Sequence, residues 1–117
     1  MVQSLNTKVD LVIDATSFTG VSDYGKIMIG DKGFEFYNSR DPRKYIQIPW
    51  EAIVEVRVQM FFKGKYVRGF FIETNEEQLL EFIVSDTKET LRKMQPHLKR
   101  EQFVQNPNNI FEMFKRK

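Results

Sequence analysis

Side chains that commonly carry catalysis are sparse in this chain of 117 residues. Cysteine is absent, which excludes disulfides, thiolate metal sites and cysteine nucleophiles. The single histidine, His97, follows Pro96 where a helix is predicted to end. One imidazole cannot form a metal site by itself, although it could accept a phosphoryl group. We favour a structural role for His97, because the C-terminus of a helix stabilises a histidine beside it.

Two further stretches have the residue types, but not the spacing, of a catalytic or phosphate-binding motif. Glu76 and Glu77 form an acidic pair in a polar turn, where we expect solvation because catalysis requires a shaped cleft. The stretch GDKG at residues 30–33 lacks the spacing of a phosphate-binding loop and precedes a strand instead of a helix. We therefore expect a protein that is not an enzyme, with no catalytic residue, metal site or cofactor.

The segment MFFKGKYVRGFF, residues 60–71, points to a contact role instead. It interleaves aromatic with basic residues around a turn predicted at residues 63–65. Alternation places one set of side chains in the core: Val54, Val56, Val58, Phe70 and Ile72. The opposite face leaves an apolar group beside the turn lysines, and we predict that it is a contact surface. Its residues are Phe61, Lys63, Lys65, Val67 and Phe71. The alternative is that a helix, the N-terminal segment or a second subunit covers this face.

The end of the chain, IFEMFKRK at residues 110–117, is apolar on one side and basic at its end. Its apolar side chains could enter a membrane interface with the basic ones near anionic headgroups, each worth about 1 kcal/mol. The predicted contact residues are Ile110, Phe111, Phe114, Lys115, Arg116 and Lys117. Because an independent helix in water needs about 12 residues, a partner or a bilayer would have to order this segment.

The loop NSRDPRK, residues 38–44, contains three cations: Arg40, Arg43 and Lys44. A solvated loop is the favoured interpretation, because charge clusters usually face water. The alternative is an anion contact, either with anionic lipid or with an acidic loop of a partner.

Alternating apolar residues and short turns indicate the elements that must position these groups. Strands are predicted at residues 8–14, 25–29, 33–37, 45–48, 53–61, 67–74 and 79–84. Because no crossover helix separates these seven strands, an antiparallel barrel or sandwich is expected. In the hairpin of strands 53–61 and 67–74, the predicted register places Met60 opposite Arg68, Val58 opposite Phe70, Val56 opposite Ile72 and Val54 opposite Thr74.

A helix is predicted after the last strand. Asp86 can cap it, with Glu89 three residues later, and Leu91, Met94 and Leu98 share one side. Pro96 should end or kink this helix. Residues 106–109, NPNN, read as a structure breaker. The predicted organisation is a single domain at residues 1–104 and an amphipathic basic tail at residues 105–117.

Composition restricts the classes of partner. The formal charge is only +2, too balanced to indicate nucleic acid by charge alone. No secretory signal begins the chain, and no apolar run approaches the roughly 20 residues that span a bilayer. We expect a cytoplasmic protein, with any membrane contact peripheral at the inner face of the cell membrane.

The order of these features resembles the pleckstrin-homology-like (PH-like) superfold, especially its GRAM branch. The features are the hairpin GKIMIGDKGFEFY, the step IPW, the strand EAIVEV, a further hairpin and a capped C-terminal helix, over residues 8–98. The resemblance implies a mainly β fold with a C-terminal α-helix. Its barrel would be seven-stranded, antiparallel, partly open and capped by the helix, with Trp50 and Ile53 packed inward.

A closer likeness spans nearly the whole chain. The stretches MVQSLNTKVDLVIDATSFTGVSDYGKIMIGDKGFEFYN and SRDPRKYIQIPWEAI resemble a small family from Gram-positive bacteria. Its genes lie beside that of the mannose-family sugar phosphotransferase (PTS) permease. The resemblance implies an accessory or regulatory role for that transporter, and it carries no functional residues.

The expected function is therefore a non-enzymatic module that binds a mannose-type PTS permease, or one of its subunits, at the cytoplasmic membrane face. Direct binding of anionic membrane lipid is the first alternative, and it predicts salt-sensitive liposome binding without a protein partner. Nucleic-acid binding linked to transcription is a second, disfavoured by the balanced charge and by the absence of a helix-turn-helix signal. A homo-oligomer formed through the exposed apolar face competes with all of them.

Overall fold

The computed structural model of the protein describes residues 3–18, 21–41, 43–61 and 66–107. One α-helix, α1 (Thr87–Met94), follows the seventh strand. Short 3-10 turns cover Trp50–Ala52, Gln95–His97 and Arg100–Gln102. The strands are β1 (Val9–Phe18), β2 (Ser22–Gly30), β3 (Gly33–Asn38), β4 (Tyr45–Pro49), β5 (Ile53–Phe61), β6 (Tyr66–Thr74), β7 (Leu79–Val84) and β8 (Phe103–Pro107).

The strands form one open sheet in the order β4-β3-β2-β1-β7-β6-β5-β8. All seven predicted strands are present, so the mainly β class with one C-terminal helix is confirmed. The count of seven is wrong, because β8 adds an eighth strand. β8 also pairs parallel with β5, whereas the other strand pairs are antiparallel. The sequence FVQNP lacks the alternation of a half-buried strand, and its pairing depends on a strand some fifty residues earlier.

Aromatic rings from distant strands fill the core. Phe34 on β3 lies edge-on to Phe70 on β6, with ring centroids 6.0 Å apart. Phe82 on β7 lies 5.0 Å from Phe34 and 5.9 Å from Phe70, and all three rings are fully buried. Because β3 and β6 are separated by three strands in the sheet, the sheet must curl to bring these faces together. One hydrophobic core therefore serves the whole sheet.

The hairpin of β5 and β6 keeps the predicted register in its middle and loses it at both ends. Val58 pairs with Phe70, and Val56 pairs with Ile72, as predicted. The register shifts between Gln59 and Met60, so that Met60 pairs with Val67 and not with Arg68.

A second register shift at the start of β5 changes which residue is buried there. It places Ile53, and not Val54, opposite Thr74. Ile53 is 3% exposed and Val54 is 47% exposed, so the prediction of Val54 in the core is wrong. An extra residue in a strand inverts the alternation beyond it, and sequence alternation alone cannot show where that happens. Among the other predicted core residues Val56, Phe70 and Ile72 are fully buried, while Val58 is half-buried.

The helix forms where the capping residue predicts it. The carboxylate of Asp86 accepts a hydrogen bond from the Glu89 N–H at 3.1 Å. Met94 is fully buried in the core, and Leu91 and Leu98 pack against it. α1 ends at Met94, and Pro96 lies within the 3-10 turn that follows, so the predicted break at Pro96 is confirmed.

Trp50 joins the end of β4 to the end of the helix. Its indole N–H donates to the Gly30 carbonyl at 3.0 Å, and the ring is 8% exposed. The imidazole of His97 stacks on it, with centroids 4.7 Å apart and planes 3° from parallel. Inward packing of Trp50 and Ile53 is thus confirmed. No helix in the described part of the chain is long and apolar enough to cross a membrane.

Candidate functional site

The predicted contact hairpin lies at the closed end of β5 and β6. Phe61 and Tyr66 are the last paired residues before the turn. Lys63 and Lys65 lie outside the described residues, as do the side chains of Phe61 and Val67. Phe71 is half-buried, and its alternation with the core residues Phe70 and Ile72 places it on the outer face of the sheet.

The parallel direction of β8 determines where the C-terminal tail begins. Pro107, the last residue of β8, pairs with Met60, which precedes the hairpin turn by only two residues. The structure therefore brings the start of the tail to the end of β5 that leads into the hairpin, three residues before the first predicted contact of the tail. The remaining predicted contacts lie outside the described residues: Ile110, Phe111, Phe114, Lys115, Arg116 and Lys117. The predicted boundary between domain and tail, at 104/105, falls inside β8.

An ion-pair cluster occupies the outer face next to Phe71. The Arg57 guanidinium donates to Glu55 at 3.0 Å and to Glu73 at 2.9 Å, and Arg57 pairs with Phe71 across the hairpin. The hydrogen bond to Glu55, and to a smaller extent that to Glu73, raises the pKa of Arg57 above its ordinary value. Arg57 is thus engaged within the sheet, and its charge is compensated.

The basic loop is partly neutralised by its own acid. Arg43 donates to Asp41 from Nε at 3.0 Å and from a terminal nitrogen at 3.2 Å, and these bonds lower the pKa of Asp41. The side-chain oxygen of Asn38 accepts hydrogen bonds from the Arg40 and Asp41 N–H groups at 2.8 and 2.9 Å. Arg40, which lines a cleft of about 310 Å³ beside Tyr24, and Lys44 are exposed. Of the three predicted anion contacts, Arg40 and Lys44 therefore have exposed side chains outside the pair that Arg43 forms with Asp41.

Comparison with protein families finds one family that matches the whole chain. A family described as a domain of unknown function, DUF956, matches residues 1–117. The chain belongs to the DUF956 family. No curated protein matches this DUF956 chain.

A solved structure shares the fold of this DUF956 chain. It is the crystal structure of the C-terminal domain of an unknown protein from Leishmania infantum, with a TM-score of 0.67. The match covers 79% of this chain and 85% of that one at 9% identity. At this identity the likeness concerns the fold alone.

A buried carboxylate in the DUF956 chain was not foreseen from the sequence. Glu35 on β3 is fully buried, because residues 4–6 cross the outer face of the sheet above it. Its oxygens accept from the Ser4 hydroxyl at 2.6 Å, the Leu5 N–H at 2.7 Å, the Asn6 amide at 3.0 Å and the Tyr37 hydroxyl at 2.6 Å. Burial alone would raise the pKa of Glu35, but these hydrogen bonds outweigh it and lower the pKa. In the sequence Glu35 reads as an ordinary solvated strand residue.

The residues next to this carboxylate clasp the turn between β2 and β3. The Asn6 side chain accepts from the Lys32 and Gly33 N–H groups at 2.7 and 2.8 Å. Asp31 accepts from the Thr7 hydroxyl and from the N–H groups of Thr7 and Lys8 at 2.9 and 3.1 Å. These bonds, led by the Thr7 hydroxyl, lower the pKa of Asp31 to about 2. The N-terminal clasp, residues 4–8, thus ties the chain before β1 to the turn between β2 and β3.

His97 lies in a cleft that Trp50 also lines. Its Nε2 is 4.0 Å from a carboxylate oxygen of Asp10, and the ring stacks on Trp50. Among the described residues, no group of three or more His, Cys, Asp or Glu side chains could hold a metal ion. The stacking supports the structural role predicted for His97.

Proposed function

We propose that this DUF956 protein is a non-enzymatic, PH-like accessory module of a mannose-type sugar phosphotransferase permease. It acts by protein–protein contact at the cytoplasmic face of the membrane. The choice of transporter rests on the family resemblance of the sequence. The PH-like assignment is supported by two antiparallel runs of strands, β1–β4 and β5–β7, followed by one helix that lies against β1, β2, β6 and β7.

One observation carries the choice of contact surface. Because Pro107 pairs with Met60, the tail starts beside the hairpin turn, and basic and aromatic residues of both segments can be presented together. A combined surface is larger than either segment alone, and specific interfaces require large contiguous areas. The tail is then ordered by the partner, because it is too short to fold alone.

The test is the membrane association of the protein in cells with and without the permease. We expect the protein in the membrane fraction when the permease is present and in the soluble fraction when it is deleted. Phe111→Ala should reduce association in the permease strain, and Leu79→Ala, at an exposed strand residue that precedes α1, is the matched apolar control. Crosslinking from position 111 would then identify the subunit.

Two other results would contradict the proposal. Association that persists without the permease, and that salt weakens on vesicles of anionic lipid, would indicate lipid binding instead. A protein that stays soluble in both strains would exclude both the permease and the membrane as partners.

A further inference from the structure

The outer edge of β5 is covered by a strand that joins the sheet late in the chain. β8 has five residues and pairs only with β5 among the described strands. It runs parallel to β5, from Phe103 opposite Val56 to Pro107 opposite Met60. Parallel pairing is slightly weaker per residue than antiparallel pairing, and Pro107 has no N–H to contribute.

Gln102, the residue before β8, extends the pairing with β5 through its side chain. The Gln102 side-chain amide donates to the carbonyls of Ile53 at 2.9 Å and of Val54 at 3.3 Å. Its oxygen accepts from the Lys99 N–H at 2.7 Å, which holds the amide in this orientation. Gln102 therefore fastens the start of β8 to the edge of β5.

β8 contributes little to the core. Phe103 packs against the core but is only half-buried, and Val104 is half-buried as well. By contrast, β6 buries Phe70 and Ile72 completely. Removing β8 would leave the core strands in place, while it would uncover the backbone N–H and C=O groups of β5. An uncovered strand edge is a template for pairing with another chain.

A cleft of mixed polar and apolar lining lies at the start of β8. It has a volume of about 640 Å³ and is lined by Gln95, Leu98, Arg100 and Phe103. In strand addition, main-chain hydrogen bonds supply affinity and pockets for side chains supply specificity. The β5 edge offers the first, and the space that Phe103 would vacate beside Leu98 offers the second.

We propose that the β5 edge is a docking site for an extended segment of a partner protein, and that β8 is the displaceable segment that occupies it. The partner segment has the chemistry of β8 and its preceding residue: a side-chain amide, then an aromatic and a β-branched residue, running parallel to β5. The proposal does not depend on the identity of the permease, because it concerns only the edge and its present occupant.

The probe is a fluorescent peptide of residues 99–107, KREQFVQNP, added to the full-length protein and followed by anisotropy. Gln102→Glu is nearly isosteric and turns the amide donor into an acceptor that faces two carbonyls. We expect it to weaken β8 and to tighten peptide binding at least tenfold. Gln78→Glu places the same charge change on an exposed residue in the turn between β6 and β7, away from this edge, and it should bind like the wild type.

A disulfide supplies the second, independent measurement. Arg57 and Val104 are register partners, and the natural chain has no cysteine, so Arg57→Cys with Val104→Cys can lock β8 to β5. The oxidised form should lose peptide binding and the reduced form of the same variant should recover it. A peptide with alanine in place of its phenylalanine should bind at least fivefold more weakly.

Equal binding by the oxidised and reduced forms would overturn the proposal, because the peptide would then bind elsewhere. Absence of binding to both Gln102→Glu and the reduced double variant would also overturn it. Should Gln102→Glu fail to fold, the oxidised and reduced forms alone decide the question.

Discussion

Two segments near the ends of the described chain lie on the finished sheet, and they are held in opposite ways. The N-terminal clasp, residues 4–8, is bound through side chains to Glu35, Asp31 and the turn after β2. β8 is bound through main-chain pairing to β5, with one side-chain amide at its start. The clasp buries a carboxylate completely, whereas the described side chains of β8 stay half-buried.

This difference indicates which segment can leave. Releasing the clasp would break all the hydrogen bonds that its residues make to Glu35, to Asp31 and to the turn after β2, and each of these bonds stabilises the docked clasp. Releasing β8 exposes a strand edge that any suitable extended segment can cover. Specific side-chain networks therefore make one segment permanent, while generic backbone pairing makes the other replaceable.

The largest effect is expected at the centre of the clasp. Glu35→Gln puts an amide donor where five donors converge, so we expect the free energy of unfolding to fall by about 2–4 kcal/mol. Urea unfolding measures this loss. Glu51→Gln, at an exposed position, is the control and should change it by less than about 0.5 kcal/mol. A loss at Glu35 no greater than at Glu51 would break the comparison, because the clasp would then be dispensable.

The clasp should also make stability depend on acid. The pKa of Asp31 is about 2 in the folded state against an ordinary 3.8, so between these values the unfolded chain binds more protons than the folded protein. The contribution of Asp31 to stability is therefore present above pH 4 and is lost as pH falls towards 2. Asp31→Asn should flatten this loss in urea titrations between pH 5 and 2.5. The exposed Glu76→Gln should leave the loss as steep as in the wild type.

A smaller and local effect is expected at β8. Gln102→Glu should speed the hydrogen exchange of the β8 amides about tenfold, while exchange in β6 stays unchanged, because only the fastening of β8 is removed. Mass spectrometry of the exchanged protein resolves the two strands. Equal acceleration in β6 would show that β8 unfolds only with the whole domain, and the two segments would then be alike.

The smallest effect is expected at the ion-pair cluster. Arg57 is 38% exposed on its side chain, so Arg57→Ala should cost about 0.5–1 kcal/mol of unfolding free energy. The loss comes from two carboxylates left facing each other across β5 and β6. Arg57→Lys keeps the charge and should recover part of the loss in urea unfolding. A loss of several kcal/mol in Arg57→Ala would mean that this face is structurally as important as the clasp.

The sequence predicts those elements that local patterns determine. Alternation located all seven antiparallel strands, and Asp86 with Glu89 located the helix start. It could not show the extra residue near Ile53, because a register shift depends on the partner strand. Nor could it show β8, whose pairing with β5 is distant in sequence and whose side chains follow no alternating pattern.

The candidate surface was predicted by residue type but not by assembly. Aromatic and basic residues singled out residues 60–71 and the end of the chain as separate segments. The pairing of Pro107 with Met60, which the sequence does not show, places the chain beside the hairpin three residues before the second segment begins. The clasp escaped prediction because Glu35 is buried by residues 4–6, about thirty positions earlier. Burial of a strand's outer face by a distant segment leaves no mark in the strand's own sequence.

The stack of Trp50 on His97 has an optical consequence. Trp50 is the only tryptophan, and its ring lines the same cleft as Gln102, the residue that fastens β8. Its fluorescence depends on the imidazole pressed against it and on the water admitted to that cleft. The protein thus carries a built-in reporter at the joint between β4, the helix end and the β5 edge. A change in emission upon mixing with a partner would register the movement of this joint without any added dye.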